Sequence, residues 1–445
     1  MNRTLLTSAL AFLLGSVIAF AENEKKTADD GSLIPVRVRK DEIVKTGWNV
    51  GILPAFNYNT DLGFMGGVLS QVYNYGDGSD YPNYRHKFTV LASIYSRGAK
   101  QLSLDYDSKH LFPGKRVTAH LEYMDNPLCG FYGFNGAVSP YYADFDLRKS
   151  ADGEDGIAFY ADYQKRFVAS LDLQGRLADH LTWIGGASYS HQMYSDVSIR
   201  PYDGTQTLFH QYVESGLIPE GDTWGHRVGI KAGLVYDTRD FEANPSRGVY
   251  MSATLDGGAS FSSIKRVSLG VSTDFRHYVP IFPSRLTFVY KLSYSSLVAG
   301  SLPFYALPAF GMRGSFGSRI TGAGVASASA DLRLKAASFK AFKQNIELGL
   351  VGFADAGAVV RPYRLAEQSQ LGGYTVSKTL DGTACGPYKS VYDSSMATHE
   401  KLHASTGGGF FFSMNHNFIT VVEFGKPLDP QDGTLGLYIN LGFSF

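Results

Sequence analysis

The chain has 445 residues and carries 41 Lys plus Arg against 41 Asp plus Glu, so its formal net charge is zero and no nucleic-acid partner is expected. Glycine (49), tyrosine (28) and phenylalanine (30) are abundant. After the first segment no stretch reaches the roughly 18 consecutive apolar residues of a spanning helix, which excludes a helical membrane protein. Such a composition suits strands whose two faces differ.

Residues 1–21 read as a signal peptide. Arg3 supplies an early positive charge, an apolar run extends from Leu5 to Phe20, and Ala19-Phe20-Ala21 forms a small-x-small cleavage site. No cysteine stands at the cleavage point, so no lipoprotein signal is present. Residues 22–46 are polar and charged and are expected to form a short periplasmic extension. They are too few for a domain of the usual size of about 50 residues or more.

From residue 47 to 445 the pattern has period two. In VTAHLEY, Val117, Ala119, Leu121 and Tyr123 oppose Thr118, His120 and Glu122. In LTFVYKLSYSSL, Leu286, Phe288, Tyr290, Leu292 and Tyr294 share one face. Such alternation specifies strands rather than helices. Strands are expected near 48–57, 63–75, 85–97, 100–111, 115–125, 157–178, 181–193, 226–238, 248–260, 266–279, 285–298, 326–337, 344–360, 402–414, 417–428 and 433–445. Many have the roughly ten-residue length that crosses a bilayer when tilted. The fold class is therefore all-β, a transmembrane antiparallel β-barrel of about 16 strands. The long connections, 126–156, 194–225, 299–325 and 361–401, all follow odd-numbered strands. Long loops then face outward, most periplasmic turns are short, and both barrel ends lie in the periplasm.

Cys129 and Cys385 fall in two outward loops under this reading. An exported chain can pair them as a disulfide or keep two thiols, and neither has metal-site spacing. The first strand contains Pro54, which cannot donate a ladder hydrogen bond. It must meet a last strand that Gly436 and Gly442 weaken, so this lateral seam is expected to be short of hydrogen bonds and able to part. In that last strand Leu437, Ile439, Leu441, Phe443 and Phe445 alternate with Tyr438, Asn440, Gly442 and Ser444. An alternating end that stops on an aromatic resembles the targeting strand read by the barrel-assembly machinery.

His399-Glu400-Lys401-Leu402-His403 spells H-E-x-x-H. Zinc chemistry needs this motif on a helix, where both imidazoles share a face. A strand pattern begins at once here, and two histidines four apart on a strand lie about 13 Å apart. No metal site and no cofactor are expected. Neither a G-x-S-x-G elbow nor a phosphate loop occurs, so an enzyme is the least supported class.

Four further segments, YDTRDFEANPSRGVY, LPAFGMRGSFGSR, ASADLRL and VGFADAGAV, occur in this order. They resemble the bacterial surface antigen barrel of the BamA/TamA outer-membrane assembly superfamily, over Trp48 to Phe445. The family's loop motif is Val-Arg-Gly followed by Phe or Tyr. Here it is Met312-Arg313-Gly314-Ser315, with an aromatic one place later at Phe316. The resemblance implies that Arg313 folds back into the lumen and meets Asp331 and Asp355 on the twelfth and thirteenth strands. A planar guanidinium suits that task because it holds carboxylates in fixed geometry, and Gly314 lets backbones approach closely. YDTRDFEANPSRGVY reads as a well-formed periplasmic turn, closed by Asp237 and Arg239 and shaped by Pro245 and Gly248.

The resemblance further implies an outer-membrane factor that inserts or exports proteins or lipids. Its partners would be outer-membrane lipid and unfolded or exported proteins. Relatives with assembly roles carry periplasmic POTRA domains, for which residues 22–46 leave no room, so either a separate periplasmic partner supplies that function or the protein does a narrower job. The alternative is a passive pore or surface-exposed barrel, since about 16 strands can enclose a channel.

Overall fold

The computed structural model describes residues 43–59, 63–141, 158–199, 204–371, 373–377, 389–393 and 399–445. The expected signal peptide, nearly all of the 22–46 extension and Cys385 lie outside the described residues. Sixteen antiparallel strands follow one another around a closed barrel. They are β1 (Trp48–Asn59), β2 (Gly63–Asn74), β3 (His86–Tyr95), β4 (Lys100–Phe112), β5 (Lys115–Gly130), β6 (Ala161–Ala178), β7 (Leu181–Ser195) and β8 (Trp224–Asp237). The second half comprises β9 (Gly248–Phe261), β10 (Lys265–Phe282), β11 (Leu286–Gly300), β12 (Gly324–Ala341), β13 (Gln344–Arg361), β14 (His403–Met414), β15 (Phe418–Pro427) and β16 (Gly436–Leu441).

Alternation decides which face turns outward. Ile94, Ile230 and Val267 are 65%, 72% and 70% exposed on the outer surface. Leaving one such side chain in water forgoes about 1.5–3 kcal/mol, and the outer wall repeats this from strand to strand. A hydrocarbon environment removes that cost. The inner face is polar: Lys231 reaches Asp172 at 2.7 Å, and Arg227 donates to Ser260 and Ser268.

At the rim of the long loops, residues from four connections bury an apolar cluster. Helix α1 (Leu208–Glu214) begins at Thr207, whose hydroxyl accepts the His210 N–H at 3.1 Å. It buries Leu208, Phe209 and Tyr212 against Phe131, Phe134 and Phe304. Helix α2 (Leu365–Leu371) contributes Gln368, which donates to the Phe134 carbonyl and accepts from Asn135. The loops therefore form a packed cap instead of a fringe.

Two expectations need correction. Strand β5 continues to Gly130, so Cys129 lies in the strand opposite Asp162 and not in a loop. A bulge between Asn126 and Cys129 absorbs Pro127, after which the ladder resumes. The last strand does not run to Phe445. It ends at Leu441 because Gly442 adopts φ +79°, a left-handed value that reverses the chain. Leu437, Ile439 and Leu441 stay in the wall, while Phe443 packs on Phe411 and Phe445 is buried against Tyr278 and Val289 in the lumen.

The seam is unequal to every other junction. Twelve residue pairs join β1 to β2, but β1 and β16 share only Tyr58↔Leu437. Pro54 lies in the part of β1 that does not pair with β16, opposite Val68 of β2.

Candidate functional site: the lumen anchor and the seam

Arg313 lies in the loop between β11 and β12, and this loop descends into the barrel. The Arg313 side chain is 8% exposed and meets three carboxylates. Nε and Nη2 donate to the two oxygens of Asp355 at 2.9 and 2.7 Å, a two-point grip. Nη2 also reaches Asp331 at 2.9 Å, and Nη1 donates to Glu423 at 2.7 Å. The Arg313 backbone N–H adds a bond to Asp355 at 3.1 Å. The guanidinium stacks on Phe353 at 3.6 Å. Burial works against its charge, but Asp355, Asp331 and Glu423 outweigh burial and hold its pKa above the usual arginine value.

Two glycines let the loop come this close. Gly314 has φ +99°, and a Cβ there would stand 2.7 Å from the Gly425 carbonyl group. A Cβ on Gly425 would stand 2.6 Å from the Arg313 carbonyl. The Gly314 N–H donates to the Tyr438 hydroxyl of β16 at 2.8 Å, which ties the loop to the last strand. Ser315, where the family has an aromatic, closes the turn by hydrogen bonds to Met312. Phe316 stacks on Tyr132 at 4.9 Å and so joins the loop to the outer cap.

Sequence reasoning named Asp331 and Asp355 but missed Glu423, Gly425 and Arg333. Arg333 holds Asp331 at 2.9 Å and donates to the Phe445 carbonyl at 2.8 Å. It also stacks on Phe443 at 4.0 Å. Glu423 left a signal: it is the lone acid in the apolar run of β15.

The turn between β8 and β9 is more than the simple connection expected. Asp237 and Arg239 do pair, at 2.8 Å, but the tip crosses the barrel mouth. Glu242 meets Arg116 of β5 and Lys109 of β4 at 2.5 and 2.8 Å. Ala243 packs on the Val351–Phe411–Ile419–Val421 cluster. A cavity of about 620 Å³ remains beside this turn, lined by Lys115, Arg176 and Arg276 among others. Burial alone would raise the Glu242 pKa, but Arg116, Lys109 and Arg239 hold it well below the usual carboxylate range. A depressed carboxylate stabilises the fold above its unfolded pKa of about 4.3, and this contribution is lost as pH falls through the folded value. Glu242→Gln is therefore expected to cost on the order of 1 kcal/mol at neutral pH and nothing in strong acid. Unfolding midpoints of both proteins across pH 2–7 check this; parallel curves would reject it.

Glu400 and His403 of H-E-x-x-H belong to another buried network. His403 Nδ1 faces Asp432 at 2.7 Å and Nε2 lies 3.3 Å from Glu400. Glu400 accepts the Ala137 and Val359 N–H groups, and Arg319 donates to the Gly136 and Gln431 carbonyls. The pair thus fastens the cap to β14. Among the described residues, no group of three His, Cys, Asp or Glu could hold a metal ion.

Side chains bridge the seam where strands do not. A Cβ on Gly51 of β1 would touch the Phe418 ring of β15 at 3.3 Å. The Tyr73 hydroxyl donates to the Asn417 carbonyl, and Asn417 Nδ2 donates to the Pro82 carbonyl at 2.5 Å. Gly436, the other expected seam glycine, lies beneath the Tyr438 ring, 2.7 Å from where its Cβ would be.

The family model for the Omp85 superfamily domain matches residues 95–445. No curated protein sequence matches. Among solved structures, the chain is similar to BamA from Haemophilus ducreyi lacking POTRA domains 1-3, at 15% identity and a TM-score of 0.48. That alignment covers 98% of this chain and 77% of the other. It is similar to CdiB from Escherichia coli at 11% identity and a TM-score of 0.48, covering 88% of this chain and 61% of that one. For CdiB from Acinetobacter baumannii the values are 12% and 0.42, covering 89% and 66%.

Proposed function

Because this chain belongs to the Omp85 superfamily, we propose that it is a bacterial outer-membrane barrel that inserts or exports other polypeptides, with the β1–β16 seam as their way out. Residues 1–21 are its export signal and 22–46 a short periplasmic extension. The outward-alternating Leu437, Ile439 and Leu441 are its targeting strand. The long loops face outside and the short turns face the periplasm.

One observation carries the reading. The seam rests on the single pair Tyr58↔Leu437, with Pro54 and Gly436 in the two strands and Gly442 just past the end of β16. Separating it breaks few main-chain hydrogen bonds, and a strand edge so exposed can pair with an incoming strand. Arg313 holds the loop and the neighbouring walls in register while the seam parts. No covalent step and no energy cofactor enter this scheme.

The passive-pore alternative is less well supported. Loop side chains fill the outer mouth and the Glu242 turn crosses the other. Both would have to move before a solute could pass straight through.

The test starts from a chain with Cys129 and Cys385 replaced by serine and cysteines placed at Tyr58 and Leu437. Reconstituted in liposomes, the reduced protein is expected to accelerate membrane insertion of an unfolded barrel substrate. Oxidation should lower that rate at least tenfold and reductant should restore it. Equal rates in both states would reject the seam as exit. No acceleration in either state, together with steady conductance in planar bilayers, would favour the pore.

A further inference from the structure

We infer that the outer edge of β12, beyond its last pair with β11, is a docking strand for an extended acidic segment of another polypeptide. The inference does not rest on the seam opening. It uses only the placement of the short turns on the periplasmic side.

Pairing of β11 with β12 stops at Leu286↔Leu334, and the Lys335 N–H still donates to the Arg285 carbonyl at 2.7 Å. Strand β12 then continues to Ala341, seven residues past that last pair. Corresponding extensions are shorter: β4 runs from Ser108 to Phe112, β6 from Gly175 to Ala178 and β10 from Tyr278 to Phe282. At about 3.3 Å per residue, the β12 extension is about 23 Å long. Residues 336–340 are all exposed, on both faces.

The other edge of this extension is fully laddered. Ala337, Ser338 and Phe339 lie opposite Leu348, Glu347 and Ile346 of β13, which pairs onward with β14 as far as Met414. The segment is thus held extended before any partner arrives. A bulge between Lys335 and Ala337 shifts the hydrogen-bonding phase. Beyond it, Ala337 and Phe339 turn their main chains toward β13, and Ser338 turns its N–H and C=O to the open side. Natural edges are blunted by prolines, lysines, inward charges, bulges or shortness, and 336–339 is Ala-Ala-Ser-Phe, with lysines only at its two ends and the bulge only at its root.

The surroundings select the partner. Arg285 at the start of the edge and Lys343 just past its tip are exposed cations. Phe339 is 45% and Phe342 84% exposed, so apolar contact is offered on the outward face. A strand alternating acidic and apolar side chains matches both features, with main-chain bonds supplying affinity. Such a strand would come from a periplasmic partner.

The probe is a fluorescent nine-residue peptide of alternating Glu and Val, titrated into the refolded full chain in detergent micelles. Saturable binding is expected, with slowed exchange of the Ser338 amide. Ser338→Pro, which removes the open-side donor, should weaken binding at least tenfold, and a peptide methylated on its backbone nitrogens should not bind. Should Ser338→Pro fail to fold, Arg285→Glu combined with Lys343→Glu reads the same contact and should also weaken binding tenfold. Binding indifferent to these changes overturns the proposal. So does a Ser338 amide already protected without peptide, which would mean the edge is covered. Protection by phosphatidylglycerol vesicles in place of the peptide would reassign the segment to the membrane surface. None of these outcomes depends on insertion activity, so failure here leaves the proposed function standing.

Discussion

Arg313→Ala is expected to destabilise the barrel by about 3–5 kcal/mol, the usual cost of removing one partner from a buried ion pair. The substitution leaves Asp331, Asp355 and Glu423 facing one another, 1%, 4% and 2% exposed, with Arg333 as the remaining cation beside Asp331. It also removes a side chain that grips β12, β13 and β15 at once. The loop should come loose as a unit, because Phe316 and the Gly314–Tyr438 bond depend on its depth. Denaturant midpoints in micelles measure the first effect, and protease cleavage within 309–321 measures the second. Arg313→Lys keeps the charge but loses the two-point grip on Asp355, so it should recover only part of the loss. Full recovery by lysine would show that charge alone matters, and wild-type stability in Arg313→Ala would dismiss the anchor.

Gly425→Ala should have the next largest effect although it adds one methyl group. The new Cβ would stand 2.6 Å from the Arg313 carbonyl, and backbone cannot swing aside as a side-chain tip can. Overpacking costs about 1–3 kcal/mol, and the displaced loop would also stretch the bonds from Arg313 to Asp355. Gly352→Ala is the matched control, because a Cβ there meets nothing within 4 Å. Thermal midpoints of the two variants should separate clearly, with loop protease sensitivity rising only in Gly425→Ala. Equal behaviour would mean that the loop has slack at this contact.

The sequence by itself determined the strands, their order and the inward face of the wall. Those follow from local alternation: a residue's parity along a strand depends only on its neighbours in the chain, and hydrocarbon outside with polar groups inside writes that parity into residue type. The loop arginine and two of its carboxylates were legible only through the family resemblance. Spacing alone does not say that Arg313 turns inward.

What the tertiary structure decided depends on closure. Arg313 and Glu423 are 110 residues apart, Glu242 and Arg116 are 126 apart, and Arg333 and Phe445 are 112 apart. Which inward residue faces which across the lumen is set by strand stagger and barrel width, quantities that no single strand contains. The reversal at Gly442 was hidden for a different reason. Alternation continues through Phe443 and Phe445, and only the left-handed φ of one glycine turns the pattern from the wall into the lumen.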